Sequence, residues 1–291
     1  MISSLDCVIC LQRQCLEGAR FATDDPKLQS QILENAMKAL LENGLLTPPP
    51  VAGTIVHRLV RTMTGNPDPY YHEKKRFNHL ALQRWDVFKR WVVESSNPFE
   101  TATRLAIAGN SIDFALEGLS EERVAEAINQ ATTQRLAGNV AEFRRAIEEA
   151  SSILYLTDNA GEIVYDKLLI ETLVSPEFGK NVTVVTRGAP VINDALYDDA
   201  QEIGLAELVP VMTNGSDGLG TLFDLVSSEF KERFVAADLV IAKGLANLES
   251  LWNPNPQYPP KKIAFLFKAK CPFIAAAVNA QLGDLCVQVR Q

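Results

Sequence analysis

Histidine is scarce in this 291-residue sequence, which contains three: His57, His72 and His79. No pair has the HExxH spacing that binds zinc in metalloproteases, so that class of hydrolase is excluded. His72 and His79 are about two helical turns apart, which is too far to share one metal ion without a bend. We therefore expect the histidines to be surface or packing residues.

Glycine-rich nucleotide motifs and long apolar runs are absent as well. The chain has neither GxxxxGK[ST] nor GxGxxG, so nothing supports a P-loop or a dinucleotide-binding turn. No apolar run approaches the roughly 20 residues that span a bilayer, and no basic and then apolar segment begins the chain. We expect a cytoplasmic protein without a membrane partner. The formal net charge of −8 argues against a nucleic-acid partner, because such proteins present a basic face.

Cysteine is present in an odd number, five, which argues against a disulfide framework and favours reduced thiols. Cys7 and Cys10 form a CxxC in the first turn of a predicted helix, where thiols are often reactive. The pair could bind a metal or be redox-active, but a closed zinc site needs more ligands. Cys15, Cys271 and Cys286 could supply a further thiol ligand only if the fold brings them near. Buried cysteines on an apolar helix face are the alternative.

The two parts of the chain differ in pattern. Residues 1–95 carry helical periodicity almost throughout, which predicts an all-helical N-terminal domain. Residues 96–291 are predicted to form a second, α/β domain, because apolar runs and helical patterns alternate beyond residue 150 and this alternation indicates a parallel sheet. Residues 120–150 are predicted to be mostly helical. The predicted strands are 153–156, 182–186, 208–212, 238–242, 262–267, 273–278 and 284–289.

Oxygen-bearing side chains follow two of these strands. Asp158 and Asn159 come directly after strand 153–156, and Asp194 lies in the first turn of the helix after the next strand. Parallel strands end at one edge of a sheet, where ligands of such folds bind, so we expect these side chains to converge. They form an all-oxygen ligand set suited to Mg²⁺ or Mn²⁺. Asp158 and Asn159 could instead be only an N-cap and a turn.

Two lysines stand at the ends of later strands. Lys243 follows strand 238–242 and precedes a glycine, and Lys268 follows strand 262–267. Capping explains a lysine at such a position poorly, so both are candidates to contact an anion. Asn110 and Asp113 lie one turn apart in a segment of small residues. They could line a site or simply mark a closely packed helix joint.

Taken in chain order, the motifs of this sequence resemble those of the damage-control phosphatases. The motifs are DCVIC at 6–10, GNSID at 109–113, DNAGE at 158–162, ND at 193–194, GSD at 215–217 with GT at 220–221, KGLANLE at 243–249 and KAKC at 268–271. They extend over nearly the whole chain, and together they are far more specific than any one of them. The CxxC resembles the short prokaryotic branch of this family.

The resemblance implies a helical N-terminal domain on a Rossmann-like α/β domain. It implies hydrolysis of small phosphate monoesters, such as sugar phosphates or damaged phosphorylated metabolites. A divalent metal (Mn²⁺, Co²⁺, Ni²⁺ or Mg²⁺) would be held by Asp158, Asn159 and Asp194. The substrate contacts carried over residue by residue are Asn110, Glu162, Lys243, Asn247 and Lys268.

Two other functions stay open at this point. A doubly wound sheet can also host an S-adenosylmethionine-dependent carboxyl methyltransferase, although no GxGxG turn follows the first strand. A non-catalytic metal- or metabolite-binding protein that uses the CxxC is the other alternative. For a phosphatase, we favour water over Asp158 as the nucleophile, since a metal-binding carboxylate is already occupied. The sequence does not determine the oligomeric state.

Overall fold

The computed structural model describes residues 3–115 and 133–291. The helices of these residues are α1 (Leu5–Ala22), α2 (Pro26–Asn43), α3 (Pro49–Thr64), α4 (Tyr71–Leu82), α5 (Trp85–Glu94), α6 (Pro98–Ala115), α7 (Val140–Glu149), α8 (Glu162–Val174), α9 (Tyr197–Glu202), α10 (Ser228–Ala236), α11 (Gly244–Leu251) and α12 (Pro272–Ala277). The strands are β1 (Leu136–Gly138), β2 (Ser152–Leu156), β3 (Asn181–Thr186), β4 (Val211–Thr213), β5 (Leu239–Lys243), β6 (Ile263–Lys268) and β7 (Leu285–Arg290).

The strands form one seven-stranded sheet in the order β1-β7-β6-β5-β2-β3-β4. Strands β2 to β6 are parallel, whereas β7 is antiparallel to β6 and pairs in parallel with β1. The α/β class is therefore confirmed, but the expectation of a wholly parallel sheet is wrong. The chain goes from β2 outward to β3 and β4 and then returns to β5 on the other side of β2. This reversal opens a crevice at the carboxyl ends of β2 and β5.

Both faces of the sheet are buried, which explains why the strands read as continuous apolar runs. Successive residues of a strand point to opposite faces. Tyr155 and Ile241 belong to the core under α6, α7 and α8. Leu154, Leu156 and Val240 belong to the core under α10, α11 and α12.

Helices α1, α2 and α3 share a smaller apolar cluster of their own, which includes Leu11, Ile32 and Val56. Helix α3 attaches this cluster to the loop after β4. Arg58 and Arg61 both pair with Asp217 of that loop at 2.5 Å. The α1 to α3 cluster is thus held over the carboxyl edge of the sheet, and the division of the chain near residue 95 stays a prediction.

Several predicted elements differ from the observed ones. Residues 273–278, predicted as a strand, lie largely in α12, whose start is favoured by Pro272 and by the Cys271 Sγ accepting the Ile274 N–H at 3.4 Å. The described part of the 120–150 segment contains the short strand β1, which we predicted as helix. Residues 71–94, within the segment predicted to be helical, form two separate helices, α4 and α5. None of the described helices is long and apolar enough to cross a membrane.

His57 of α3 gives a first testable prediction. It is 3% exposed, and burial followed by the charge of Arg61 lowers its pKa to about 4. A histidine that is harder to protonate when folded stabilises the fold above its unfolded pKa near 6.5 and loses that contribution as the pH falls towards 4. Lowering the pH from 7 to 5 should therefore reduce the free energy of unfolding by about 2 kcal/mol through this group alone.

The measurement is urea unfolding of the wild type and of His57→Leu at several pH values. The variant should show a shallower loss of stability over this range, whatever its stability at pH 7. Parallel pH profiles of the two proteins would contradict the assignment of this acid sensitivity to His57.

Candidate active site

The predicted metal-binding side chains lie together where β2 and β3 end. The turn after β2 carries Asp158 and Asn159, and the loop after β3 carries Asp194. The two loops are paired through their main chains. Asn159 and Asp194 form an antiparallel bridge, and the Ala195 N–H donates to the Asp158 carbonyl oxygen at 2.8 Å. These bonds hold the three side chains in one place without help from a ligand.

A cavity of about 500 Å³ opens at this edge of the sheet. We call the surface formed by the strand ends its floor; its charged and amide side chains are Asp158, Asn159, Glu162, Asn193, Asp194, Lys268 and Lys270. The rest of the lining, which we call the wall, comes mainly from α1, the start of α3, α4, α11 and α12. The structure thus brings together the predicted metal ligands with Glu162 and Lys268.

Asp158 can occupy its position because the residue that lies against it, directly after β5, is a glycine. Gly244 has φ +76°, and a Cβ added to it would lie 2.0 Å from the Asp158 Oδ2. Any side chain at residue 244 would therefore displace the carboxylate and strain the backbone. The glycine after the strand-end lysine was the signal in the sequence for this close approach.

The Asn159 carboxamide has a fixed orientation. Its Nδ2 donates to the Asp158 Oδ2 at 2.8 Å and to the Glu162 Oε2 at 3.1 Å. Because both N–H bonds of the amide are used on carboxylates, its carbonyl oxygen is the atom that it can offer to a cation. Asn159 is therefore oriented as a metal ligand requires.

Lys243 lies under this site and does not line the cavity. It is fully buried, and its Nζ donates to the Glu162 Oε1 at 2.6 Å, to the Asp166 Oδ1 at 2.6 Å and to the Ala106 carbonyl oxygen at 2.7 Å. Burial alone disfavours the ammonium, but the carboxylates of Asp166 and Glu162 raise the pKa of Lys243 above its ordinary value. All three donors of Lys243 are used on protein groups, so Lys243 supports Glu162. The sequence predicted a substrate contact for Lys243, and this geometry does not provide one.

Asn247 is also fully buried and lies outside the cavity lining. Its Nδ2 donates to the main-chain oxygens of Thr157 and Lys243, and its Oδ1 accepts from the Thr221 hydroxyl at 2.9 Å. Asn247 thus connects the ends of β2 and β5 with the loop after β4. The backbone of Asn110 lies in α6, but its side chain is outside the described residues.

Two basic residues near the site were missed by the sequence analysis. Arg187 is 4% exposed and donates its Nε to the Asp194 Oδ2 at 2.6 Å and its Nη1 to the Gly220 carbonyl oxygen at 2.6 Å. Lys270 lines the floor of the cavity, and its charge lowers the pKa of Asp158. The basic residues directly after β3 and β6 were the available signals.

The carboxylates of the floor destabilise each other's charge. Burial raises the pKa of Asp158 well above its ordinary value, and the charges of Glu162 and Asp194 raise it further. Burial also raises the pKa of Asp194, against the opposing effect of Arg187. A cation placed among these groups would offset both the free-energy cost of burying charged carboxylates and the repulsion between them.

The residues present fit a divalent metal in their chemistry. Asp158, Asn159 and Asp194 offer two carboxylates and one oriented amide oxygen, which are hard ligands. No group of three or more His, Cys, Asp or Glu side chains within 3–115 and 133–291 is arranged to hold a metal ion. The candidate set therefore depends on the asparagine, on water and on the substrate for its remaining ligands, as is usual for Mg²⁺ sites.

Comparisons with known proteins agree on one family. The model of the damage-control phosphatase ARMT1-like domain matches residues 3–286. A damage-control phosphatase of Archaeoglobus fulgidus is 34% identical over 289 residues, covering 97% of each chain, and one of Pyrococcus horikoshii is 33% identical over 285 residues, covering 96% of this chain and 95% of its own. A crystal structure of a DUF89 family protein from Pyrococcus horikoshii matches with a TM-score of 0.89 at 32% identity and covers 100% of both chains.

Proposed function

We propose, since the chain belongs to the damage-control phosphatase ARMT1-like domain family, that it is a divalent-metal-dependent hydrolase of small phosphate monoesters. Family membership supports the phosphatase activity; the metal dependence and the substrate class are our proposal. The observation that carries it is the cluster of Asp158, Asn159 and Asp194 on the cavity floor, with two lysines beside it. The methyltransferase alternative is not favoured by these relatives.

In this proposal, Asp158, Asn159 and Asp194 would hold Mn²⁺, Co²⁺, Ni²⁺ or Mg²⁺. The metal would supply Lewis-acid polarisation of a phosphoryl oxygen and a lowered pKa for attacking water. Lys268 and Lys270 place positive charge beside the phosphoryl group that is transferred to water. Glu162 orients Asn159, and Arg187 orients Asp194. Water remains the proposed nucleophile, since the Asp158 carboxylate already accepts from Asn159.

The test is release of inorganic phosphate from a panel of phosphomonoesters, with the protein first stripped by EDTA and then given one divalent metal at a time. Release that depends on added metal supports the proposal. No release with any of the four metals and any ester, from a protein that melts cooperatively, would contradict it. Binding of S-adenosylmethionine measured on the same protein addresses the methyltransferase alternative.

Lys268 gives a prediction for the phosphate subsite. It lies at the end of β6, is half-buried and lines the floor; burial and then the charge of Lys270 lower its pKa. A partly desolvated lysine interacts strongly with a dianion and with the transition state. Lys268→Ala should lower kcat/KM at least tenfold, about 1.4 kcal/mol, with nearly unchanged metal affinity. Lys268→Arg should restore only part of the loss, because a planar fork does not replace a point charge.

Lys262, directly before β6, offers a matched control at the opposite end of the same strand. It begins the segment leading into β6 and pairs with Glu149 at the surface at 2.8 Å. Lys262→Ala should leave kcat/KM unchanged, because surface ion pairs contribute little. If Lys268→Ala keeps wild-type kcat/KM, the phosphate subsite must be assigned to Lys270 instead, and Lys270→Ala tests that assignment directly.

A further inference from the structure

The turn that presents Asp194 to the floor of the cavity contains a strained residue. The turn extends from Val191 to Asp194 and is closed by the Asp194 N–H, which donates to the Val191 carbonyl oxygen at 3.1 Å. Its first central residue, Ile192, has φ +45°. Glycine, asparagine or aspartate is usual at a turn position with positive φ, because a β-branched side chain crowds its own backbone there. Among the described residues, Asn279 is the other non-glycine residue with positive φ.

The conformation of this turn is fixed by main-chain contacts on both sides of Ile192. On one side, the Arg61 Nη1 of α3 donates to the Pro190 carbonyl oxygen at 2.5 Å. On the other side, the Asn193 carbonyl oxygen accepts the Ala160 N–H at 2.9 Å. Glycine or asparagine at position 192 would allow the same bonds with less strain. The isoleucine side chain therefore does not help to form the turn, and its free-energy cost needs another explanation.

Packing in the apolar cores does not account for the side chain of Ile192. It is half-buried, and it belongs to none of the three apolar clusters of the described chain. It lines the active-site cavity on one side and a smaller cleft with His57, Val60 and Tyr70 on the other. An aliphatic side chain has no donor for phosphate oxygens. The part of a bound ester that Ile192 can contact is therefore the carbon skeleton of the alcohol.

We propose, on the basis of the phosphatase function proposed above, that Ile192 is a substrate-contacting residue whose side chain packs against the carbon atoms next to the ester oxygen. Removing these apolar surfaces from water stabilises the bound ester. The contact suits hydroxylated alcohols as well, because the C–H groups of a sugar are apolar. The strain at Ile192 then lowers the stability of the fold in exchange for substrate binding, as is common at functional sites.

The experiment measures kcat/KM of the wild type, Ile192→Asn and Ile192→Val with glucose 6-phosphate and with p-nitrophenyl phosphate under the best metal. Each variant is compared with the wild type on the same ester, so the difference between the two leaving groups cancels. Ile192→Asn should lower kcat/KM at least fivefold on each ester that the wild type hydrolyses. It should melt at or above the wild-type temperature, because asparagine tolerates positive φ. Ile192→Val keeps the β-branch and most of the apolar surface, so its kcat/KM should stay within twofold of wild type.

Two binding measurements separate contact with the ester from an effect on the neighbouring Asp194. The metal affinity by calorimetry and the Ki of inorganic phosphate, which has no carbon skeleton, should both stay within twofold of wild type in Ile192→Asn. Asn279→Ile is the matched control, since Asn279 has φ +54°, is exposed and lies outside the cavity lining. This control should melt a few degrees lower, because it places a β-branched residue at positive φ, and its kcat/KM should be unchanged.

Three results with Ile192→Asn would overturn the proposal. Wild-type kcat/KM would show that the side chain does not contact the ester. A matching loss of metal or phosphate affinity would make Ile192 a support for Asp194 instead. A melting temperature well below that of the wild type would assign the side chain to packing beside α3. If the wild type hydrolyses no ester with any metal, the phosphatase proposal itself is wrong, and this inference is wrong with it.

Discussion

Asp158→Asn is expected to melt at a higher temperature than the wild type without metal and to lose metal-dependent phosphate release by a factor of about 10³ or more. The carboxylate of Asp158 is buried beside Glu162 and Asp194, and its pKa is raised well above its ordinary value by burial and by those charges. Removing its charge removes this cost to the metal-free fold. About 1 kcal/mol of relief corresponds to a few degrees in a protein of this size.

The loss of activity in Asp158→Asn has a different cause from the gain in stability. A neutral amide in place of a carboxylate is a much weaker ligand for a divalent metal, and a 10³-fold loss corresponds to about 4 kcal/mol of transition-state stabilisation. Asp194→Asn should lose activity as well, but it should melt at a lower temperature, because the buried Arg187 would keep its charge without its carboxylate partner.

Asp238→Asn is the control for both measurements. Asp238 precedes β5 at the opposite edge of the sheet, where its Oδ2 accepts the main-chain N–H groups of Ser151 and Ser152. These bonds lower its pKa, so its neutralisation should lower the melting temperature and leave activity intact. If Asp158→Asn retained full metal-dependent turnover, or melted below the metal-free wild type, the assignment of Asp158 to a charged metal site would be wrong.

The convergence of Asp158, Asn159 and Asp194 could be predicted from sequence because it depends on two local patterns. Apolar runs identify the strands, and in a parallel arrangement the residues after each strand reach the same edge. The order of the strands was not needed for that conclusion. The antiparallel pairing of β7 and the three-residue strand β1 were not predictable in the same way, because short edge strands carry almost no periodic signal.

Lys243 shows what the sequence could not determine. Its position at the carboxyl end of β5 was predicted, but its direction depends on the alternation of side chains along the strand. Ile241, two residues earlier, faces the core beneath α6 and α8, so Lys243 points to the same face and reaches Glu162 and Asp166 of α8. Which face those helices cover is a property of the folded chain. The apolar run at 273–278 likewise has no periodicity that separates strand from helix, although Pro272 was a usable signal for a helix start.

Lys243→Met is expected to lower the unfolding free energy by roughly 3–5 kcal/mol, because it leaves the buried carboxylates of Glu162 and Asp166 without their cation. The melting temperature should fall on the order of 10 °C. Asp166 already accepts the Tyr155 hydroxyl at 2.8 Å, and burial raises its pKa to about 6 even with Lys243 beside it. Without the Lys243 ammonium, the negative charges of Glu162 and Asp166 beneath the site lose the cation that pairs with both.

The same substitution should also weaken metal binding, because Lys243 holds Glu162 and Glu162 orients the Asn159 amide. The double variant Lys243→Met, Asp166→Leu separates the two effects. It removes one of the two unpaired charges, so much of the lost stability should return, whereas Glu162 still lacks its partner and metal affinity by calorimetry should remain at least tenfold weaker. Lys167→Met is the matched control, since Lys167 lies on the same helix and donates to the Ile203 carbonyl oxygen away from the cavity. If the double variant regained both stability and metal affinity, Lys243 would be a purely structural residue, and the orientation of Asn159 would have to depend on Asp158 alone.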